Sequence, residues 1–383
     1  MTSFLPYSTQ HIDEDDIQAV VSVLRSSHLT QGPAIAQFET DIAQKVGAQF
    51  GVAVSNGTAA LHLCCLAIGL SEGDEVITTP NTFVASANAA LYCGAIPVFA
   101  DINSDTGLID VAQIEAKITP KTKAIIPVDF SGTPTDLEPI FALAKRHGLV
   151  VIQDACHSLG ATYQDQVVGN NAFAHMTVFS FHPVKPLTTG EGGLITTNDP
   201  ALYDKLVLLR THGITKDPEK LSQNPGPWYY EMTALGFNYR MTDLQAALGS
   251  SQLRKLDAFT QKRQALAAVY DAAFADWTWL TPLRVPAHRT SARHLYVVKI
   301  NFEAIGKTRA EVMAHLKDRG IGSQVHYAPV YDQPYYHRFL ACRPNCPNMD
   351  AYYAQALSLP LYPALEASDQ HRVVEALHDL TRT

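Results

Sequence analysis

The chain has 383 residues, 46% of them hydrophobic and 17% charged, with a formal net charge of −8. That composition describes a folded chain long enough for two domains, and its scattered lysines and arginines leave no basic footprint for nucleic acid. No apolar run approaches the roughly 20 residues of a membrane span, the opening MTSFLPYSTQ lacks the plan of a signal peptide, and six cysteines show no CxxC pairing, so a cytoplasmic protein with free thiols is expected.

The N-terminal segment 1–11 is expected to pack at a domain or subunit interface. After it, the sequence opens with acids and continues with Ile17, Val20, Val21 and Leu24 on one helical face. The four neighbouring acids Asp13, Glu14, Asp15 and Asp16 read as a solvated, dipole-matched helix start rather than a metal site. His28 to Pro33 forms a turn before the next helix. Strand-like segments at 50–54, 75–78, 96–99, 124–128, 149–153 and 176–180 then alternate with helical stretches. This alternation predicts an α/β fold, a mostly parallel sheet with helices on both faces. From Asp257 the chain changes character. A long helical stretch, a Pro-containing loop, the strand-like HLYVVKINF and a helix over Lys307 to Arg319 predict a smaller α+β domain over 257–383, beside a large domain over 12–256. Cys342 and Cys346 near His337 lack a second ligand pair, and a plain loop is expected there.

Three pieces carry chemistry. In VFSFHPVKPLTTGEGGLITT, an apolar strand is stopped by His182 and Pro183, and Gly190, Gly192 and Gly193 re-aim the backbone. Lys185 is thereby held on a loop at a strand end. A lysine there is either a surface cation or, if desolvated, a nucleophilic amine suited to a Schiff base. Asp154 ends the apolar run 149–153, where a carboxylate either caps a following helix or reaches a ligand at the carboxyl edge of an open sheet. Ser55 to His62, SNGTAALH, follows another strand and opens a helix whose free N–H groups bind phosphate well, with Gly57 permitting close approach and Thr58 adding a hydroxyl.

With these in order, the chain resembles the DegT-type pyridoxal phosphate (PLP) sugar aminotransferases of fold type I. The likeness runs through LPYSTQHIDEDDIQAV, HLTQGPAIAQFE, SNGTAALHL, TPNTFVASANAA, QDACHSLGA, FSFHPVKPLTTGEGG, LGFNYRMTDLQAALGSSQL and SLPLYP. Within the family, SFHPVKPLTTGEGG with the following RTHGI is most similar to members of the pseudaminic acid pathway, which aminate a UDP-linked 4-keto-6-deoxy sugar. The resemblance implies Lys185 and Asp154 as catalytic residues. It implies cofactor contacts at Gly57, Thr58, Ala59, Phe83, His157, Ser180 and, from a partner copy in a homodimer, Asn238. It also implies substrate contacts at Tyr7, Thr30, Gln31, Arg240, His326 and Tyr327, no metal, and L-glutamate and a nucleotide-linked keto sugar as substrates. A transaminase for another UDP- or dTDP-linked keto sugar, and a non-catalytic PLP-binding regulator, are the competing readings. The related sugar 3-dehydratases carry histidine in place of the lysine, so Lys185 argues against them.

Overall fold

Seven strands pair into one sheet in the computed structural model, which describes residues 4–381. They are β1 (Phe50–Val54), β2 (Glu75–Thr78), β3 (Ile96–Phe99), β4 (Thr122–Ile126), β5 (Val150–Asp154), β6 (Met176–Ser180) and β7 (Gly193–Thr197). The order across the sheet is β1-β7-β6-β5-β4-β2-β3. Only β7 is reversed, running antiparallel to both β6 and β1, while β3, β2, β4, β5 and β6 are mutually parallel.

A sheet covered on both faces needs apolar residues at successive strand positions, and these strands supply them. Val52, Val54, Ala124, Ile126, Ile152, Val178 and Ile195 enter a core shared with Leu61 and Cys65 of the helix α3 (Gly57–Ala67). The alternate residues Ala53, Phe179 and Leu194 enter another with Phe38 and Ile42 of α2 (Pro33–Val46). Ile77, Ile125 and Val151 pack on the helix Leu137–His147. A separate antiparallel sheet joins β8 (Leu280–Pro282), β9 (Tyr296–Ile300) and β10 (Ala356–Leu359). Its core takes Leu266, Tyr270 and Phe274 from the helix Leu256–Ala273, Val373 and Leu377 from Ala367–His378, and Leu5 from the N-terminal segment.

Two local departures from the sequence reading have clear causes. β4 stops at Ile126 rather than Val128 because Pro127 has no N–H for the ladder, and Val128 makes only an isolated bridge to Asp154. The first helix, α1 (Glu14–Leu24), does not bury its apolar stripe: Ile17 is 47% and Leu24 55% exposed. Its anchor is polar. Asp13 and Asp16 form a capping box, which turns the Asp16 carboxylate back under the helix. Asp16 is therefore fully buried, correcting the expectation of four solvated acids. It accepts from Gln252 Nε2 at 2.7 Å and the Asp13 N–H at 3.1 Å, and Lys255 Nζ lies 3.0 Å away and also pairs with Asp13.

Removing one member of such a buried pair strands the others. Asp16→Ala is expected to lower the urea midpoint by the equivalent of about 3 kcal/mol, whereas Asp15→Ala, at an exposed site one residue away, should stay within about 0.5 kcal/mol. Equal midpoints for the two variants would show that the buried network contributes nothing to the helix docking.

Candidate active site

The parallel strands bring their carboxyl ends to one edge, where the loops after β1, β2, β5 and β6 converge. Asp154, the last residue of β5, is only 5% exposed. Burial of a carboxylate costs several kcal/mol unless its lone pairs are used, and here Ser86 Oγ donates to Oδ2 at 2.6 Å while the Cys156 N–H donates to Oδ1 at 3.2 Å. Ser86 lies in the helix Ala85–Tyr92 that follows β2, and its hydroxyl is 2.7 Å from Thr82 Oγ1. No helix begins after Asp154, so the capping alternative falls away.

Lys185 follows β6 on a loop tied down at both ends. The Phe181 N–H donates to Gly192 O at 2.9 Å, the Lys185 N–H to His182 O at 2.9 Å, and the Thr188 hydroxyl to Phe181 O at 3.0 Å. Gly190 has φ +82, a conformation that favours glycine; Gly192 instead provides room, since a Cβ there would sit 2.2 Å from Thr189 Oγ1. The residue is partly exposed, yet desolvation of its amine lowers the pKa below the ordinary lysine value, an effect that Cys156 and Asp154 oppose. A larger share of neutral amine follows.

The helix α3 starts at the same edge. Asn56 caps it, its side chain accepting the Ala59 N–H at 2.8 Å. The Gly57 and Thr58 N–H groups, which a first helical turn cannot use internally, lie on the cavity wall. A Cβ on Gly57 would stand 2.9 Å from Ser180 Cβ, so glycine keeps this cradle open. On the other side, His157 is 5% exposed, with Nδ1 buried and lacking a partner among the described residues. Its ring lies 4.3 Å from that of His294. Burial first, and then the Lys185 charge, hold His157 well below the usual histidine range; burial and His157 do the same to His294. His326 is lowered to about 4 by burial and then Lys185. Its Nδ1 is 2.8 Å from Ser358 Oγ.

These elements enclose a cavity of about 1100 Å³. Of the residues singled out from the sequence, Gly57, Thr58, Ala59, Phe83, Asp154, His157, Ser180 and Lys185 are on its wall. Tyr7, His326 and Tyr327 close the far side. Thr30, Gln31, Asn238 and Arg240 are not on that wall within one chain: Thr30 bridges to Thr242 and Asn238 to Thr211. Sequence reasoning missed Ser86, His294, and the contact of His62 Nδ1 with the Tyr239 hydroxyl at 3.1 Å. Ser86 lies 68 residues before Asp154, and no spacing signature connects them.

An unpartnered buried imidazole nitrogen, a glycine cradle at a helix N-terminus, a buried carboxylate and a desolvated lysine fit a phosphorylated pyridine aldehyde. The arrangement defines a PLP-dependent aminotransferase of fold type I. The chain belongs to the DegT/DnrJ/EryC1/StrS aminotransferase family, which it matches over residues 10–378. It is 42% identical over 381 residues to the spore coat polysaccharide biosynthesis protein SpsC of Bacillus subtilis, covering 99% of this chain and 97% of that protein. Among solved structures, Helicobacter pylori PseC, an aminotransferase involved in the biosynthesis of pseudoaminic acid, superposes with a TM-score of 0.91 at 34% identity, covering 99% of this chain and 100% of that one. The PLP form of the putative sugar aminotransferase Spr1654 of Streptococcus pneumoniae superposes at 0.90 and 30% identity, covering 99% of each chain.

The buried imidazoles set an acid sensitivity. The unfolded chain binds their protons near pH 6.5, while the folded chain keeps His326 neutral down to about pH 4 and His157 and His294 neutral well below their usual range. Stability contributed by each ring is thus present above the unfolded pKa and lost as pH falls, with a slope approaching ~1.4 kcal/mol per pH unit per ring. Asp129, whose buried carboxyl is raised to about 6, acts oppositely and offsets one ring in that window. Urea unfolding from pH 7 to 4 should therefore show falling stability, with a shallower fall in His326→Asn. An unchanged slope in that variant would mean that His326 titrates normally in the folded chain.

Proposed function

We propose that the enzyme transfers the amino group of L-glutamate to C4 of a UDP-linked 4-keto-6-deoxy-N-acetylhexosamine, in the cytoplasm, as a homodimer. The observation that carries this reading is the size and lining of the cavity. At about 1100 Å³ it exceeds the roughly 300–1,000 Å³ usual for a small-ligand pocket, and Tyr7, Tyr92, Tyr239, Gln324, His326 and Tyr327 add polar tips to a largely apolar wall. A cofactor and a bulky sugar derivative fit such a space. The likeness to PseC supports the pseudaminic acid substrate, and that to SpsC favours an alternative, another keto sugar destined for a polysaccharide.

When bound, PLP supplies an electron sink that a proton on its ring nitrogen strengthens. Asp154, fixed by Ser86, is assigned to hold that proton. Gly57, Thr58 and Ser180 take the phosphate, with Asn238 of a second copy completing its grip; Ala59 contributes position only, since its N–H is spent on Asn56. Phe83 covers the ring, and His157 meets the ring hydroxyl with its free nitrogen. The Lys185 amine, kept partly neutral by desolvation, would take the proton from the donor Cα and deliver it to the aldehyde carbon (C4′) of the cofactor, and would move it the other way for the keto sugar. Tyr7, His326 and Tyr327 line the sugar side. Thr30, Gln31 and Arg240 serve only if a second copy brings them to the cavity.

Borohydride treatment of the PLP-loaded protein should leave the cofactor on the Lys185 peptide, and Lys185→Ala should show no such label and no turnover; label on another lysine would overturn the assignment. With glutamate, product NMR should show amination of the L-arabino UDP ketosugar. Reaction of the D-xylo isomer alone would move the enzyme to another pathway, and reaction of simple 2-keto acids alone would remove the sugar reading. For the dimer, mixing inactive Lys185→Ala chains with inactive Asn238→Ala chains should restore activity, because one of the two sites in a mixed dimer is then intact. Full activity in a monomer would refute it.

A further inference from the structure

Asp129 lies just beyond β4 and outside the groups assigned above, yet it is tied to both ends of the segment that carries Asp154 and His157. Its side chain is fully buried. Oδ2 accepts from Gln153 Nε2 at 2.7 Å and Ser158 Oγ at 2.6 Å; Oδ1 accepts from the Thr135 N–H at 2.9 Å and the Thr135 hydroxyl at 2.7 Å. Gln153 immediately precedes Asp154, and Ser158 immediately follows His157. The backbone adds two further ties, from the Asp129 N–H to Asp154 O at 3.0 Å and from the Asp154 N–H to Pro127 O at 2.9 Å. Beyond Gln153 the chain of bonds continues, since the Thr177 hydroxyl of β6 donates to Gln153 Oε1 at 3.0 Å.

We infer that Asp129 is a positioning residue of the active site: its carboxylate clamps Gln153 and Ser158 and thereby fixes where Asp154 and His157 meet the cofactor. The inference rests on the reading above that these two residues are the cofactor contacts. The four bonds as they stand are those of an ionised carboxylate. It offers about four acceptor sites and no donor, and four donors converge on it. An amide, or a protonated acid, puts a donor on one side of the group, so that the Gln153 amide must turn away or a hydroxyl of Ser158 or Thr135 must rotate to accept. Burial raises the carboxyl to about 6, against the lowering effect of its bonds to Ser158, Thr135 and Gln153. The ionisable groups on the surrounding segments are Asp154 at the end of β5, Cys156 and His157 just after it, Asp136 after Thr135, and Arg293 and His294 against Gly132. None of them hydrogen-bonds the Asp129 carboxylate among the described residues.

The test compares wild type, Asp129→Asn, Ser158→Ala and Asp154→Asn as PLP-loaded enzymes, with the cofactor dissociation constant of each apoprotein measured by fluorescence. Asp129→Asn should bind cofactor about tenfold more weakly and lose about 10- to 100-fold in kcat, as expected for a displacement near 1 Å, while KM for glutamate stays within about twofold. The wild-type kcat profile should fall on the acid side near pH 6. That limb should vanish in Asp129→Asn and move to higher pH in Ser158→Ala, which removes a bond that lowers the carboxyl pKa. A lowered melting temperature with kcat, cofactor affinity and the limb all unchanged would make Asp129 a fold residue only. If Asp129→Asn does not fold, an unmoved limb in Ser158→Ala overturns the inference and a raised one supports it. Wild-type rates in Asp154→Asn would sink the underlying site assignment instead, a result distinguishable from a silent Asp129→Asn beside an inactive Asp154→Asn.

Discussion

A buried carboxylate at the end of β5, made tolerable by hydrogen bonds, is the constraint on which the site depends. The parallel sheet delivers Asp154 to the edge where four loops meet, but delivery alone leaves an ion in a low-dielectric setting. Ser86, on the helix after β2, donates to one oxygen and the Cys156 N–H to the other. The same bonds that lower the cost of burial fix the direction of the carboxylate. Changes at Thr82 or Ser86 therefore act on both the cost of burial and the direction of the carboxylate.

Much of this was legible in the chain because it is local. The strands at 50–54, 75–78, 96–99 and 176–180 agree with the structure to the residue, since each is a short apolar run bounded by Gly, Pro or a polar cap. Thr242 and Gln245, three residues apart, form a capping box at the start of the helix Asp243–Leu253, and that spacing is itself local in the sequence. The wall positions of Gly57, Asp154, Ser180 and Lys185 follow from a simple rule, that residues just past parallel strands collect at one edge.

The rest escaped for reasons that are physical rather than statistical. Asp16 carries no mark that separates it from Asp15, and only the docked helix shows which acid turns inward. The apolar stripe of α1 predicted burial that this chain by itself does not provide, with Ile17 and Leu24 left exposed. Ser86 and Asp129 reach the site through contacts across the sheet, and a side chain that meets its partner only after folding leaves no periodicity to detect. Among the three loop glycines, the sequence could not tell the turn at Gly190 from the close approaches at Gly192 and Gly193, because both needs select the same residue.

The electrostatics of the cavity follow from the same burial. Lys185, His157 and His326 share one space, and each protonation makes the others harder; the Lys185 charge, after burial, lowers both imidazoles. The cavity thus combines buried imidazoles whose charged forms are disfavoured with the N–H groups at the start of α3, neutral donors of the kind a phosphate accepts from. A positive field built from fixed cations would hold a phosphate as well, but it would also oppose any further cation brought into the same space. Neutral donors avoid that competition. They leave the Asp154 carboxylate, directed by Ser86 and the Cys156 N–H, open to a cationic group placed beside it.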